Sequence, residues 1–110
     1  PVMTAYANDF SYADVFSEQV RTLARPGDVV FGISGSGNSP NVLNGLKAAR
    51  EAGAITVAMT GYKGGKVIDL SDVTLVVPSD DMQHIEDCHL MLTHLFMQAM
   101  SEFVRESPSR

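Results

Sequence analysis

At 110 residues, 45% hydrophobic and 19% charged, the chain has the makeup of one small folded domain, not of a disordered polymer. Its net charge of -5 disfavours non-specific attraction to nucleic acid or an anionic membrane, but leaves room for a small anion at a local site. Cys88 is the only cysteine, which excludes an internal disulfide and any cysteine-based metal motif and fits a reducing cytoplasm. From the start, Val2-Met3-Thr4-Ala5-Tyr6 reads as the end of a strand, broken by Asn8-Asp9. A helix comes next from Ser11, with Ser11 as N-cap and Asp14 completing a loose capping box. Val15, Phe16, Val20 and Leu23 form its apolar stripe, and Pro26-Gly27-Asp28 stops it.

Asp28 to Ile33 is apolar without alternation, as expected of a buried parallel strand. Val42, Leu43, Leu46 and Ala49 recur at helical spacing up to Glu51, and Gly53 is placed as a C-cap. Ala54 to Thr60 predicts a second buried strand. Gly61 to Lys66 is a glycine-rich loop, and Val67 to Leu70 a short helical turn. Val73 to Val77 predicts a third strand closed by Pro78. Asp80 or Asp81 then caps a long helix to about Val104, and Ser107 to Arg110 reads as a frayed tail. Strands alternating with helices imply a parallel sheet with helices on both faces, and ligands bind such sheets beyond the carboxyl ends of the strands. No repeat, linker, signal-peptide pattern or membrane-length apolar run interrupts residues 1–110, which read as a single domain. The chain opens at Pro1, not at methionine, as a fragment or a chain trimmed before proline would.

Gly32-Ile33-Ser34-Gly35-Ser36-Gly37-Asn38-Ser39-Pro40-Asn41 carries the chemistry. It runs from a strand through a Gly/Ser turn into a helix. Backbone N–H groups at a helix start, the positive end of its dipole and nearby hydroxyls together favour an anion such as phosphate. The plain alternative is a turn and N-cap before the Val42 helix. In the long helix, Ile85, Leu90, Met91, Leu92, Leu95, Phe96, Met97, Met100 and Phe103 cover more than one face, so it is expected to be buried on several sides, part against the sheet and the rest against other subunits. Its methionines read as adaptable packing.

Together Gly32 to Ser39, Ala48-Ala49-Arg50-Glu51-Ala52-Gly53, Thr60 to Lys66 and the closing Ile85-Glu86-Asp87-Cys88-His89-Leu90-Met91-Leu92-Thr93-His94 resemble the sugar isomerase (SIS) domain, and within it the phosphoheptose isomerases. Asn8-Asp9-Phe10 also matches that group. The resemblance implies a three-layer αβα sandwich on a parallel, flavodoxin-like sheet. It implies aldose–ketose isomerisation of sedoheptulose 7-phosphate in a cytoplasmic homodimer or homotetramer, with neither nucleic acid nor membrane as direct partner. Ser34, Ser36 and Ser39 match the serines that hold the sugar phosphate, and Gly35 is implied, with Asp9 and Glu86, among the other substrate-binding residues. His94 matches the catalytic histidine, a residue type suited to moving a proton through an enediol near neutral pH. Asp9 matches an aspartate near the sugar, though after Asn8 it also reads as a turn former.

Glu86 stands where these enzymes commonly carry a glutamine that contacts substrate or zinc. Eight residues at about 100° each bring Glu86 and His94 within roughly 80° around the helix. A Glu86–His94 pair suits Zn²⁺, yet two ligands do not close a zinc site, and exposed helix surface is an equal reading for Glu86. His89 is expected to be structural or at an interface, and His84 exposed. Lys63 and Lys66 are read as solvated, though both lie near the loop. Family members carry a further N-terminal portion: a long helix, a glycine-rich strand–turn and a helix with a catalytic glutamate. Residues 1–110 match only the remainder of the family domain, so the domain is expected to be incomplete at its N-terminus. The alternative function is a non-catalytic SIS module that senses a phosphosugar or binds a replication initiator.

Overall fold

A computed structural model of the chain describes residues 1–108. Four α-helices and three strands occur in the order α1 (Val2–Asp9), α2 (Ser17–Leu23), β1 (Val29–Ile33), α3 (Pro40–Glu51), β2 (Ile55–Thr60), β3 (Val73–Val76) and α4 (Met82–Glu106). Short 3₁₀ turns occupy Tyr12–Asp14 and Lys66–Leu70. The sheet is entirely parallel in the order β1-β2-β3. Val29 pairs with Ile55 and Val57 with Val73, so successive side chains of all three strands alternate between two faces.

The αβα class is as the sequence implies. The helix α3 covers one face: Leu46 lies against Gly32, where a Cβ would stand 3.0 Å from its side chain, and it joins Ala58 and Val67 in the core. On the opposite face Phe96 of α4 meets Phe31 edge to face, with centroids 5.3 Å apart.

Three expectations need correction. Val2–Tyr6 is helical, not extended. The Ala5 N–H donates to the Pro1 carbonyl at 3.0 Å, closing the first turn. Among the described residues no strand lies alongside to satisfy an extended backbone there, whereas a helix satisfies its own. Nor does Ser11 open a long helix. Its hydroxyl accepts from the Ala13 N–H at 3.0 Å and caps only the 3₁₀ turn, and α2 begins at Ser17, leaving Leu23 exposed. Finally, β1 is parallel but not buried. Val29, Phe31 and Ile33 are each about half exposed, because α4 covers only part of their face. The true central strand, β2, is buried at every residue after Ile55.

The ends of α4 are well defined. The Asp81 carboxylate accepts from the Gln83 N–H at 2.9 Å, making Asp81 the N-cap, and the Ser107 hydroxyl donates to the Phe103 carbonyl at 2.7 Å. The tail expected to fray falls outside the described residues at positions 109 and 110. The start of β3 is tied to β2 by Asp72, whose carboxylate accepts from the Thr56 N–H at 2.8 Å. That bond holds the Asp72 carboxyl below the usual carboxylate range, helped by the Thr56 hydroxyl and Arg50 against the opposing effect of desolvation.

Candidate functional site

Residues 34–39 join the end of β1 to the start of α3, beyond the carboxyl ends of the strands. Ser34 is buried, and its Oγ does two things. It accepts from the Gly37 N–H at 3.1 Å and shares a hydrogen bond with the Ser39 Oγ at 2.9 Å. One of these two hydroxyls donates to the other, so the pair keeps one O–H for a ligand. Ser39 is the N-cap of α3, yet its side chain bonds no backbone N–H there; it is engaged with Ser34 instead.

Ser36 is half-buried, and its Oγ accepts from the Asn38 N–H at 3.1 Å. Among the described residues, the N–H groups of Gly35 and Ser36 find no hydrogen-bond partner within the chain. Free N–H groups beside hydroxyls at the start of α3 are what an oxyanion needs.

The loop is braced from outside. Asn38 donates through Nδ2 to the Ser36 carbonyl at 3.2 Å, and its Oδ1 accepts from the Lys66 N–H at 2.9 Å. The Val67 N–H donates to the Gly37 carbonyl at 3.0 Å, and the Gly61 N–H to the Gly35 carbonyl at 2.9 Å. Gly37 has φ +71°, and a Cβ there would stand 1.9 Å from the Gly64 carbonyl oxygen. Only glycine fits that conformation and that gap. The sequence points to the serines but gives Asn38 no role. Its place one residue before a serine N-cap carries no signal for a bond to Lys66, 28 positions away.

An open cleft of about 860 Å³ adjoins the loop at Ser36 and Asn38, bounded by Tyr62, Lys63, Ser79 and Asp80. Lys63 therefore lies beside the loop, while Lys66 contributes its backbone N–H.

The helix α4 crosses near the loop. Ile85 is fully buried, and a Cβ on Gly61 would stand 2.3 Å from its Cδ1. One turn on, His89 is buried with its Nε2 2.9 Å from the Thr60 carbonyl oxygen, as a structural histidine should be. Glu86 and His94 are exposed on the same helix, and neither bonds the serine loop. His84 is exposed and lies 3.6 Å from Asp81. Asp9 is exposed at the end of α1, where its carboxylate accepts from Asn8 at 3.0 Å. The serines are thus assembled into one site, whereas Asp9, Glu86 and His94 make no hydrogen bond to it. Among the described residues, no three His, Cys, Asp or Glu side chains come together to hold a metal ion. Glu86 and His94 supply donor types that suit Zn²⁺, but a site needs more ligands than these two.

A family model for the SIS domain matches residues 2–61, from α1 through the serine loop to the end of β2. The chain belongs to the SIS domain family. The phosphoheptose isomerase of Aquifex aeolicus is 45% identical over 105 residues, which span 96% of this chain and 55% of that protein. The phosphoheptose isomerase of Aliarcobacter butzleri is 48% identical over 96 residues, covering 87% of this chain and 51% of that one. Among solved structures, phosphoheptose isomerase from Neisseria gonorrhoeae superposes with a TM-score of 0.86 at 42% identity, over 89% of this chain and 56% of that one. This SIS domain is therefore phosphoheptose isomerase-like in sequence and fold. It spans about half the length of the curated relatives it matches. No helix among the described residues is long and apolar enough to cross a membrane.

Proposed function

We propose that this SIS domain binds the phosphate of a phosphorylated sugar in the Ser34–Ser39 loop and serves a cytoplasmic phosphoheptose isomerase acting on sedoheptulose 7-phosphate. The observation that carries the reading is the loop itself: free N–H groups at Gly35 and Ser36 beside the Ser36 hydroxyl and the Ser34–Ser39 pair. On this reading, residues 1–110 are the C-terminal portion of the family domain. Ser36, Ser39 and the loop N–H groups hold the phosphate, and Ser34 orients Ser39. His94 moves the proton between the adjacent carbons of the enediol, with its acid–base partner outside these residues. Glu86 and Asp9 approach the sugar. Glu86 and His94 would, with further ligands, also suit Zn²⁺, which would polarise a substrate oxygen; an imidazole so engaged would not carry the proton, so the two roles are alternatives for His94.

Calorimetry on the chain with inorganic phosphate tests the cradle. Binding in the millimolar range or tighter is expected, and Ser36→Ala is expected to weaken it roughly tenfold, the value of one hydrogen bond to a charged group. A folded sample with no heat at millimolar phosphate, unchanged by Ser36→Ala, sinks the phosphate reading. Sedoheptulose 7-phosphate in the same cell should bind at the same loop. Binding without turnover by the natural gene product would favour the sensing module, a reading for which the glutamate at position 86 speaks.

The exposed apolar side chains of α4 bear on assembly. Leu90, Met91, Leu95, Met97, Met100 and Phe103 are each more than half exposed. At about 100° per residue these six lie all round the helix, and so wide an exposed apolar surface marks a contact surface. We infer a homodimer or homotetramer joined through α4. Sedimentation equilibrium at about 100 μM, far above a typical micromolar Kd, should give a dimer or tetramer mass, and Leu95→Glu should give monomer. A monomer mass for the unmodified chain overturns this.

A further inference from the structure

His89 is the one polar side chain buried on α4. A carbonyl oxygen only accepts, so the Nε2 that lies 2.9 Å from the Thr60 oxygen carries the proton and donates it. The same oxygen also accepts from the Val77 N–H at 3.0 Å, so both its lone pairs are used. On the other side of this peptide unit, the Gly61 N–H donates to the Gly35 carbonyl at 2.9 Å. The next peptide unit pairs that Gly35 carbonyl with the free N–H of Ser36. Two peptide groups thus run in series from the imidazole to a donor of the serine loop. Hydrogen bonds in series orient and polarise one another. Ile85, one turn earlier on α4, presses on Gly61 itself. The helix therefore holds this link both by contact and by hydrogen bond.

We propose that His89 is a positioning residue: through Thr60, Gly61 and Gly35 it sets the direction of the Ser36 N–H and so the anion affinity of the loop. This rests on the phosphate reading for its ligand, but not for the link itself. Of all the bonds that brace the loop, it is the one that reaches α4, which also bears Glu86 and His94. A shift of α4 would therefore move the phosphate donors and these two side chains together.

The test uses the ¹⁵N-labelled 110-residue chain, with inorganic phosphate as probe and amide hydrogen exchange as a ligand-free readout. His89→Phe keeps an aromatic ring of similar bulk and removes the donor. His89→Gln restores an N–H near the same reach. His89→Phe is expected to weaken phosphate binding roughly tenfold and to speed exchange at Gly61 roughly tenfold, with Val57 in mid-β2 unchanged. His89→Gln is expected to return both within about threefold of the unmodified chain. Unchanged phosphate affinity and Gly61 exchange in His89→Phe overturn the proposal. Exchange raised equally along β2, with no rescue by Gln, also overturns it, since that marks a merely structural histidine. Absent phosphate binding in the unmodified chain defeats the phosphate reading instead, and Gly61 exchange still decides the link. Should His89→Phe not fold, His89→Asn, polar but too short for Thr60, takes its place with the same expectations.

Discussion

Gly37→Ala is expected to abolish phosphate binding and to lower the stability of the chain by about 2 to 5 kcal/mol. Two costs combine. At φ +71° an alanine Cβ crowds the backbone, which costs about 1 to 2 kcal/mol. That Cβ would also stand 1.9 Å from the Gly64 oxygen and 2.6 Å from the Thr60 Oγ1. The near neighbour is backbone, so the whole 61–65 loop must move, at a further 1 to 3 kcal/mol or so. Moving it strains the Gly61–Gly35 and Thr60–Gly64 bonds that brace the serines. Gly27→Ala is the control, because Gly27 also has positive φ, +88°, but nothing lies within 4 Å of its would-be Cβ. It should cost only the conformational part. Urea denaturation separates the two variants, and phosphate calorimetry reads the site. A Gly37→Ala chain no less stable than Gly27→Ala, with phosphate affinity intact, would remove the close approach from the account.

Local signals made some elements legible in the sequence. The apolar spacing at Val42, Leu43, Leu46 and Ala49 marks α3 because a helix repeats its buried face every three or four residues. The unbroken run from Ala54 to Thr60 marks the central strand because both its faces are covered. At Val2–Tyr6 the residue types fit either state; among the described residues no strand pairs there and the backbone closes its own helical bonds, a fact no local pattern contains. Val29, Phe31 and Ile33 have the composition of a buried strand, yet burial depends on what packs against them, and α4 reaches only part of that face.

The site divides in the same way. The spacing of Ser34, Ser36 and Ser39 is local and can be read as an anion loop. That Ser34 bonds Ser39, so that one of the pair orients the other, needs the turn geometry. The His89–Thr60 bond joins positions 29 apart and depends on how α4 lies over β2. Its one trace in the sequence is the pairing of Ile85 and His89, four apart, on the helix side that meets the Thr60-Gly61 strand end. An acidic chain also holds its proposed anion site without a cluster of bases: the loop's donors are neutral N–H and O–H groups, so the net charge of -5 is no obstacle.

If the proposed isomerase function holds, His94→Ala in the natural gene product is expected to lower kcat for sedoheptulose 7-phosphate by about 10² to 10⁴, the usual worth of a general acid–base, with phosphate affinity kept within about twofold. The separation of the two effects comes from the geometry. His94 is exposed and bonds nothing in the serine loop, which is braced by Asn38, Val67, Gly61 and Ser34. Removing its imidazole therefore leaves the phosphate donors in place. Its side of α4 is within roughly 80° of Glu86 but about 180° from Ile85, which packs on Gly61, so His94 faces away from this chain's own serine loop. Steady-state kinetics with calorimetry on the same sample reads both quantities. Turnover within about threefold of the unmodified enzyme, far short of the loss expected for a general acid–base, would show that another group carries the proton. A parallel fall in phosphate affinity would instead make His94 part of the frame that holds the loop. The expected split, with kcat lost and phosphate binding kept, assigns the two ends of the substrate to two elements: the tail to the serine loop, the reacting carbons to α4.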